Sequence, residues 1–400
     1  MAVTTAGQTS SQEAAKASFL YRPEVRAVIY QLILLAGIVA FFWYIISNTI
    51  INLRRLGIAS GFEFMSRTAS FDISQTLIPY SAGSTYFTAF MVGLWNTVLV
   101  SVIGIVLATI LGFIMGIARL SSNWLIARIG TIFVEVLRNI PLLLLLLFMY
   151  FAVLKSDLLP QVRNARELWF GSYISNRGIN LPAPIFEPGF GYVMLAAILG
   201  LALAVGIGIW ARRRRLLTGQ PFPAFWVGVA VTVAIPLVVA VLMGRPMSFD
   251  YPVKGTFNFT GGFVLSPEFL ALLAGLSVYT ASFIAEAVRA GILAVSKGQK
   301  EAAAALGLAP NQALRLVVLP QAARVMIPPL TSNYLSLTKN SSLALAIAYP
   351  DLVAVTGTML NNTGQAVEII LLTMAVYLTL SLLTSLLMNW FNARIALVER

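Results

Sequence analysis

Few side chains in this sequence could do chemistry, and the most unusual are charged residues inside long apolar stretches. Glu135 and Arg138 are three positions apart, as are Glu286 and Arg289, and Lys339 is followed by polar residues. The chain has no histidine and no cysteine, which excludes imidazole acid–base catalysis, thiolate metal sites and disulfides. We therefore expect no catalytic site and no metal site, and we expect these charges to form ion pairs and hydrogen bonds.

The sequence also contains no G-x-x-x-x-G-K-[ST] run, the loop whose backbone N–H groups hold nucleotide phosphates. The chain is therefore not expected to hydrolyse ATP by that route.

The composition indicates that the elements positioning these residues are membrane helices. The 400 residues are 58% hydrophobic and only 10% charged, whereas an average soluble protein has about 25% charged residues. A spanning helix needs about 20 apolar residues. Eight stretches meet or approach this length: 28–50, 88–117, 129–154, 191–211, 225–243, 265–287, 325–348 and 366–389.

Charge placement predicts the topology. The net charge of +12 falls on one side if the N-terminus is cytoplasmic, as the positive-inside rule requires. The strongest contribution is a run of four arginines, Arg212 to Arg215, which we predict to lie in a short cytoplasmic loop. A nucleic-acid role for this run is less favoured, and we expect no nucleic-acid partner. The first stretch is longer than the apolar part of a typical signal peptide, so we interpret it as an anchor.

The charged pairs inside the stretches have two interpretations. Each pair could neutralise itself on one helix face, or the pairs could exchange partners between helices or subunits; both structural readings are favoured over contact with a solute. Lys339 must reach the membrane surface, form an ion pair or face a polar cavity. A cavity and a structural pair with Glu286 or Glu135 remain equally favoured.

The second stretch has small residues at four-residue spacing: Gly104, Ala108, Gly112 and Gly116. In a helix they lie on one face and allow close approach of another backbone. Packing within the chain is favoured over a subunit interface or a moving gate.

The segment 297–330 is predicted to lie in the cytoplasm between the sixth and seventh stretches. Its sequence indicates a short helix, a bend at Gly307 and a second amphipathic helix that begins at Pro310. Pro320, and then Pro328 with Pro329, are expected to end or kink that helix. Two short helices held at an angle and exposed to the cytosol would suit docking to a partner protein.

This segment resembles the EAA loop of ABC-importer permeases, E-A-A-x3-G-x9-I-x-L-P, with one departure, Val317 in the isoleucine place. The resemblance implies that the loop fits a cleft on a separate ATPase subunit. Glu301 would make a polar contact or cap, Ala302 and Ala303 would allow close approach, and Gly307 would set the turn. The residues expected to couple the chain to the ATPase are Glu301, Ala302, Ala303, Leu306, Gly307, Leu319 and Pro320.

Four further stretches are similar to permeases for polar amino acids, the histidine, glutamine, glutamate, arginine and opine group. They are GLWNT at 93–97, VEVLRNIP at 134–141, SFIAEAVRAGI at 282–292 and KNSSL at 339–343. The resemblance covers about 88–154 and 264–390, which we interpret as two parts of one permease core. The intervening 155–263, with two spans, is interpreted as an insertion. A chain of this size resembles the extended Q-type subunit of general L-amino-acid importers.

The resemblance implies an all-α integral membrane protein with about eight transmembrane helices, a type I ABC-importer permease core and peripheral extra helices. The expected segments outside that core are a cytoplasmic tail at 1–27, a first helix at 28–50, an extracytoplasmic segment at 51–87 and a cytoplasmic C-terminus at 391–400.

The implied function is import of polar L-amino acids by alternating access in a bacterial inner membrane. The expected partners are an ATPase dimer that carries ATP and Mg, a second permease chain, for which a related chain is favoured over a copy, and an extracytoplasmic amino-acid-binding protein. The alternative is a secondary transporter driven by an ion gradient, which should show inverted repeats and acidic ligands at mid-membrane.

A zwitterionic solute needs donors for its carboxylate and acceptors for its ammonium group. The candidate donors are Asn96, Lys339, Asn340 and Ser341, and the candidate acceptors are Glu286 or backbone carbonyls.

Overall fold

The computed structural model describes residues 23–55, 61–154 and 159–395. Of the predicted cytoplasmic tails, 1–22 and 396–400 lie outside the described residues. Within the described residues, seven helices are long and apolar enough to cross a membrane, and a bent helix pair adds an eighth if it is one span. The prediction of an α-helical membrane protein with about eight spans is thus confirmed. The helices are α1 Pro23–Arg55, α2 Tyr86–Ala118, α3 Trp124–Asn139, α4 Leu142–Leu147, α5 Phe190–Thr218, α6 Ala224–Leu242, α7 Pro267–Leu293, α8 Lys297–Ala305, α9 Pro310–Ala313, α10 Leu319–Asn340, α11 Leu352–Thr363 and α12 Ala366–Ile395.

The centre of the fold is α7, which packs against α2, α3 and α10. The small residues of α2 face α7 and α10. A Cβ atom added at Gly112 would lie 2.5 Å from Cγ2 of Ile284, and one added at Gly116 would lie 2.7 Å from the backbone oxygen of Ala285. The favoured interpretation of this stripe, packing within the chain, is therefore correct.

The third predicted span, 129–154, is not a straight helix. The chain bends by 107° between α3 and the helix that begins with α4, and a π-helical turn, Phe148–Leu154, follows α4. Ile140 has extended dihedral angles, φ −97° and ψ 129°. The cause is Pro141, because the ring of a proline disfavours helical geometry in the preceding residue.

Residues 166–186 and 247–265 form a small β structure. The strands are β1 Arg166–Glu167, β2 Tyr173–Ser175, β3 Gly178–Leu181, β4 Ala183–Phe186, β5 Met247–Asp250, β6 Val253–Lys254, β7 Phe259–Thr260 and β8 Phe263–Leu265. A four-stranded antiparallel sheet has the order β1-β2-β3-β8, and β4 pairs with β5 and β6 with β7. Because β3 pairs with β8, backbone hydrogen bonds join the first part of the predicted insertion to its end.

Helices α5 and α6 form a hairpin between these strands. A Cβ atom at Gly200 would lie 3.2 Å from the backbone of Thr232, so the two helices pack closely. The four arginines predicted in a loop instead belong to the last turns of α5, which ends at Gly219 with φ +70°. Arginine is a good helix former, and the predicted loop is correspondingly shorter.

A second correction concerns the prolines after residue 310. Helix α9 continues through a π-helical turn, Leu314–Val318, into α10, and then into a 3-10 segment, Ser341–Ile347. Pro320 lies in the first turn of α10 and Pro328 and Pro329 lie inside it. The π-turn changes the hydrogen-bond pattern just before Pro320, where the backbone donor is missing. None of these prolines ends the helix.

Candidate coupling loop and polar sites of the core

The predicted coupling loop begins with α8, an exposed helix. Ala303 is its buried residue, whereas Glu301 and Ala302 are exposed. Leu306, at the end of the helix, is 81% exposed. Leu306 is therefore available for an apolar contact with a partner protein.

Gly307 ends α8 in a Schellman turn. The amide of Gly307 donates to the carbonyl of Ala304 at 2.9 Å, and the amide of Leu308 donates to that of Ala303 at 3.1 Å. These are the two hydrogen bonds that define the motif. Gly307 has φ +76°, a conformation that favours glycine. The structure thus places Gly307 at the predicted bend.

The other arm of the loop is α9 with its π-helical continuation. The Gln312 side-chain oxygen accepts from the Ala309 amide at 3.1 Å. Helix α8 is joined to the first turn of α10 by the amide side chains of Gln299 and Gln321, at 3.2 Å. Leu319 and Pro320 lie where this arm becomes α10 and are therefore part of a continuous helix.

Glu286 is the centre of a charge cluster at one end of α7. It binds Arg289 of the same helix at 2.8 Å, and Arg119 from the end of α2. The predicted pair within α7 is present, and Arg119 adds a contact between helices. The Glu286 carboxylate, a candidate acceptor for the ammonium group of a solute, is thus bound by two guanidinium groups of the chain itself.

Glu135 and Arg138, both in the described part of the chain, form no ion pair with each other. The guanidinium carbon of Arg138 instead lies 5.2 Å from the ring centre of Phe283 on α7. This is a cation–π contact.

Lys339 lies in the last turn of α10 and is exposed. Its side chain forms neither of the structural pairs considered for it, with Glu286 or with Glu135. The neighbouring Asn340 is half-buried. Ser341 is fully buried, and its hydroxyl donates to the carbonyl of Thr338 at 2.8 Å. Of the candidate solute contacts in this stretch, Lys339 has the most accessible side chain.

Asn96 is fully buried, which does not suit the predicted solute contact. Its side-chain amide donates to the carbonyls of Gln75 and Pro350, both at 2.9 Å. Both donor hydrogens are thus used to hold the segment before α2 and the segment before α11. In this conformation Asn96 stabilises the fold.

Asp351, a fully buried carboxylate that caps α11, is a polar site that was not predicted from the sequence. Its Oδ1 accepts from the amide of Ala354 at 2.8 Å, and its Oδ2 accepts from the hydroxyl of Tyr377 at 3.3 Å. Burial raises the pKa of Asp351 to about 6, against the opposing effect of these hydrogen bonds. An aspartate directly before a helix is a capping signal, but its burial depends on distant residues.

The described residues contain no group of three or more acidic side chains placed to hold a metal ion.

Comparison with known proteins gives consistent matches. Residues 204–397 match the family model for the binding-protein-dependent transport system inner membrane component. Over 383 residues the chain is 53% identical to the General L-amino acid transport system permease protein AapQ of Rhizobium johnstonii, covering 96% of this chain and 95% of that protein.

Two further relatives also match over nearly their whole length. The identity is 48% with the Putative amino-acid ABC transporter permease protein YhdX of Escherichia coli, covering 94% of this chain and 96% of that protein. It is 43% with the Glutamate/glutamine/aspartate/asparagine transport system permease protein BztB of Rhodobacter capsulatus, covering 95% and 96%.

Proposed function

Because the chain belongs to the inner-membrane permease subunits of amino-acid ABC transporters, we propose that it carries polar L-amino acids into the cytoplasm by alternating access. The chain is a multi-pass inner-membrane protein. Its family is that of ABC permeases, so the alternative of a secondary transporter driven by an ion gradient is not retained. The observation that carries the proposal is the exposed α8 with its Schellman turn at Gly307.

The face of α8 that bears Glu301, Ala302 and Leu306 is the surface for the ATPase subunits. Those subunits bind ATP and Mg, and this chain has no ATPase site of its own. Closure of the ATPase dimer moves α8, and the contact between Gln299 and Gln321 passes this movement to α10. Nucleotide thereby changes the populations of two permease conformations.

The complete transporter contains two permease chains, this one and a related partner, and an extracytoplasmic protein that delivers the amino acid. In this proposal both termini are cytoplasmic, 88–154 and 264–390 form the core, and 155–263 is an insertion. Support comes from the pairing of β3 with β8, which closes 178–265 into one unit.

Lys339 is the residue proposed to meet the carboxylate of the solute, with Asn340 beside it. Its side chain is exposed and its ammonium group is in no ion pair of the described part of the chain. A lysine at membrane depth that has no internal partner is expected to face water or a subunit interface.

The test is Gly307→Ala in the reconstituted transporter, with Gly298→Ala as control. No atom lies within 4 Å of a Cβ added at either position, but only Gly307 has a positive φ. A left-handed alanine costs about 1–2 kcal/mol. We therefore expect ATP-driven amino-acid uptake to fall severalfold in Gly307→Ala and to stay unchanged in Gly298→Ala.

Uptake should also stop when ATP is withdrawn and continue when proton and sodium gradients are abolished. Uptake that follows the ion gradients, or that is equally insensitive to both glycine substitutions, would contradict the proposal.

A further inference from the structure

A cavity of about 540 Å³ lies between the end of α5 and α9 with its π-helical continuation. Arg215 lines it from α5, and Arg315, Asn311, Gln312 and Leu316 line it from the other side. Its walls therefore bring one arginine of the insertion and one arginine of the coupling loop to the same space. We call it the Arg215–Arg315 cavity.

The lining of this cavity carries positive charge and amide groups but no carboxylate. Neither Arg215 nor Arg315 is in an ion pair in the described part of the chain. The neighbouring Arg214, by contrast, donates to Gln220 at 3.0 Å and lies 5.5 Å from the ring centre of Trp210. Two guanidinium groups that share a cavity without a counter-ion repel each other, and an anion between them would remove that cost.

The surroundings are apolar as well as basic. Leu216 and Leu217, directly after Arg215, are 80% and 85% exposed, and Leu316 in the cavity wall is 63% exposed. Leu216 and Leu217 lie at the end of the membrane-spanning helix α5, which has Trp210 about two turns earlier, as is typical of the depth of lipid headgroups.

We propose that the Arg215–Arg315 cavity binds the phosphate headgroup of an anionic phospholipid, which links the insertion to the coupling loop. The two guanidinium groups bind the phosphate oxygens, and the exposed leucines contact the acyl chains. The lipid thereby holds the end of α5 beside α9.

Topology alone does not account for the cavity. The positive-inside rule requires basic residues after a span, and any of the four arginines satisfies it. It does not require that Arg315, a hundred positions later in the sequence, line the same space. An acidic patch of the ATPase is the other ligand with suitable charge, but it would leave the leucines at headgroup depth without a partner.

The test measures retention of dioleoylphosphatidylglycerol on the complete purified transporter by native mass spectrometry, with dioleoylphosphatidylcholine as the neutral lipid. We expect wild type to retain phosphatidylglycerol in preference. Arg215→Gln and Arg315→Gln should each weaken retention about fivefold, the effect of one basic residue near an anionic surface. Arg213→Gln is the matched control, because Arg213 is an exposed neighbour outside the cavity lining, and it should retain the lipid.

Equal retention of the two lipids by wild type would overturn the proposal without reference to any variant. An equal loss in Arg213→Gln would show a diffuse charge effect and would also overturn it. Inorganic phosphate that competes fully at the same concentration would assign the cavity to a free anion. Loss of the ATPase subunit from the Arg215→Gln/Arg315→Gln complex, with lipid retention unchanged, would assign it to the protein partner.

Discussion

Glu286 is the counter-ion of two arginines from two helices, Arg119 and Arg289. Neutralising it leaves both guanidinium groups without a partner in a partly buried site, where the side chains are 12%, 27% and 35% exposed for Arg119, Glu286 and Arg289. Such a loss costs 3–5 kcal/mol in a fully buried pair and less when water has access, so about 1–3 kcal/mol is expected here. Glu286→Gln should lower the thermal unfolding midpoint of the detergent-purified transporter.

The control is Glu135→Gln. Glu135 has the same i,i+3 spacing to an arginine but no ion pair in the described residues, so its replacement should leave the midpoint almost unchanged. Equal effects of the two substitutions would show that the Glu286 cluster does not stabilise the fold.

The burial of Asp351 predicts that the stability of the protein depends on pH. It lies outside the spans that end at Ile347 and begin again at Ala366, and burial raises its pKa from 3.8 to about 6. The folded state therefore disfavours the charged form. The cost is almost absent at pH 3, grows as the pH rises towards 6 and is complete above it, at about 3 kcal/mol.

Asp351→Asn keeps a good helix cap without the charge. The variant should therefore be at least as stable as wild type at pH 8, and the difference should fall to about a third of that value near pH 4.5. Thermal unfolding of both proteins across this range is the measurement. A wild type that loses stability on acidification while the variant does not would contradict the assignment of a raised pKa.

The contacts of single residues could be predicted only between positions that are close in the sequence. The pair of Glu286 with Arg289 follows from helical spacing, whereas the contact of Arg119 joins residues 167 positions apart. Asn96 is a candidate donor for a solute carboxylate by its residue type. Its hydrogen bond to Pro350, 254 positions away, cannot be seen in the sequence pattern.

At the scale of elements, the contact between α2 and α7 depends on glycine. A Cβ atom at Gly112 would lie 2.5 Å from Ile284 Cγ2 and 3.0 Å from the backbone oxygen of Ala281. Because the backbone cannot move away as a side chain can, Gly112→Ala should destabilise the transporter by about 1–3 kcal/mol. The thermal unfolding midpoint would again report the loss.

Gly206→Ala in α5 is the matched control, because no atom lies within 4 Å of the added Cβ. Alanine there should be neutral or slightly stabilising, since it favours helix more than glycine does. Unfolding midpoints that stay the same for Gly112→Ala would mean that the two helices do not pack this closely.

Spans were predictable because apolar length is a strong signal, but their continuity was not. Pro141 does break the third span. The extended geometry of Ile140 follows from a local rule, that a proline disfavours helical geometry in the residue before it. By the same rule, Pro328 and Pro329 should also disfavour helical geometry, yet both lie inside α10. There, packing of Ile327 and Leu330 in the buried core favours the helix over the intrinsic preference of proline.

For the whole molecule, the fold divides into a packed core around α7 and a less buried periphery. The long apolar stretch of α1 has no buried residue, and few residues of α5 and α6 are buried. The number of spans could be predicted from composition. The β structure could not, because its strands have two to four residues and come from segments about 80 positions apart.

The exposed end of α8 is proposed to contact an ATPase subunit on the cytoplasmic side. The chain has no cysteine, so Leu306→Cys introduces a single thiol at an 81% exposed position. Trp169→Cys in the β structure, where the tryptophan is 83% exposed, is the control for the other side of the membrane.

The measurement is labelling by a membrane-impermeant maleimide in right-side-out and inverted vesicles, followed by cross-linking of the complete transporter. We expect Leu306→Cys to be labelled only in inverted vesicles and to cross-link to the ATPase subunit, whereas Trp169→Cys should be labelled only in right-side-out vesicles. Labelling of Leu306→Cys from the outside, or cross-links only within its own chain, would contradict the proposed contact with the ATPase.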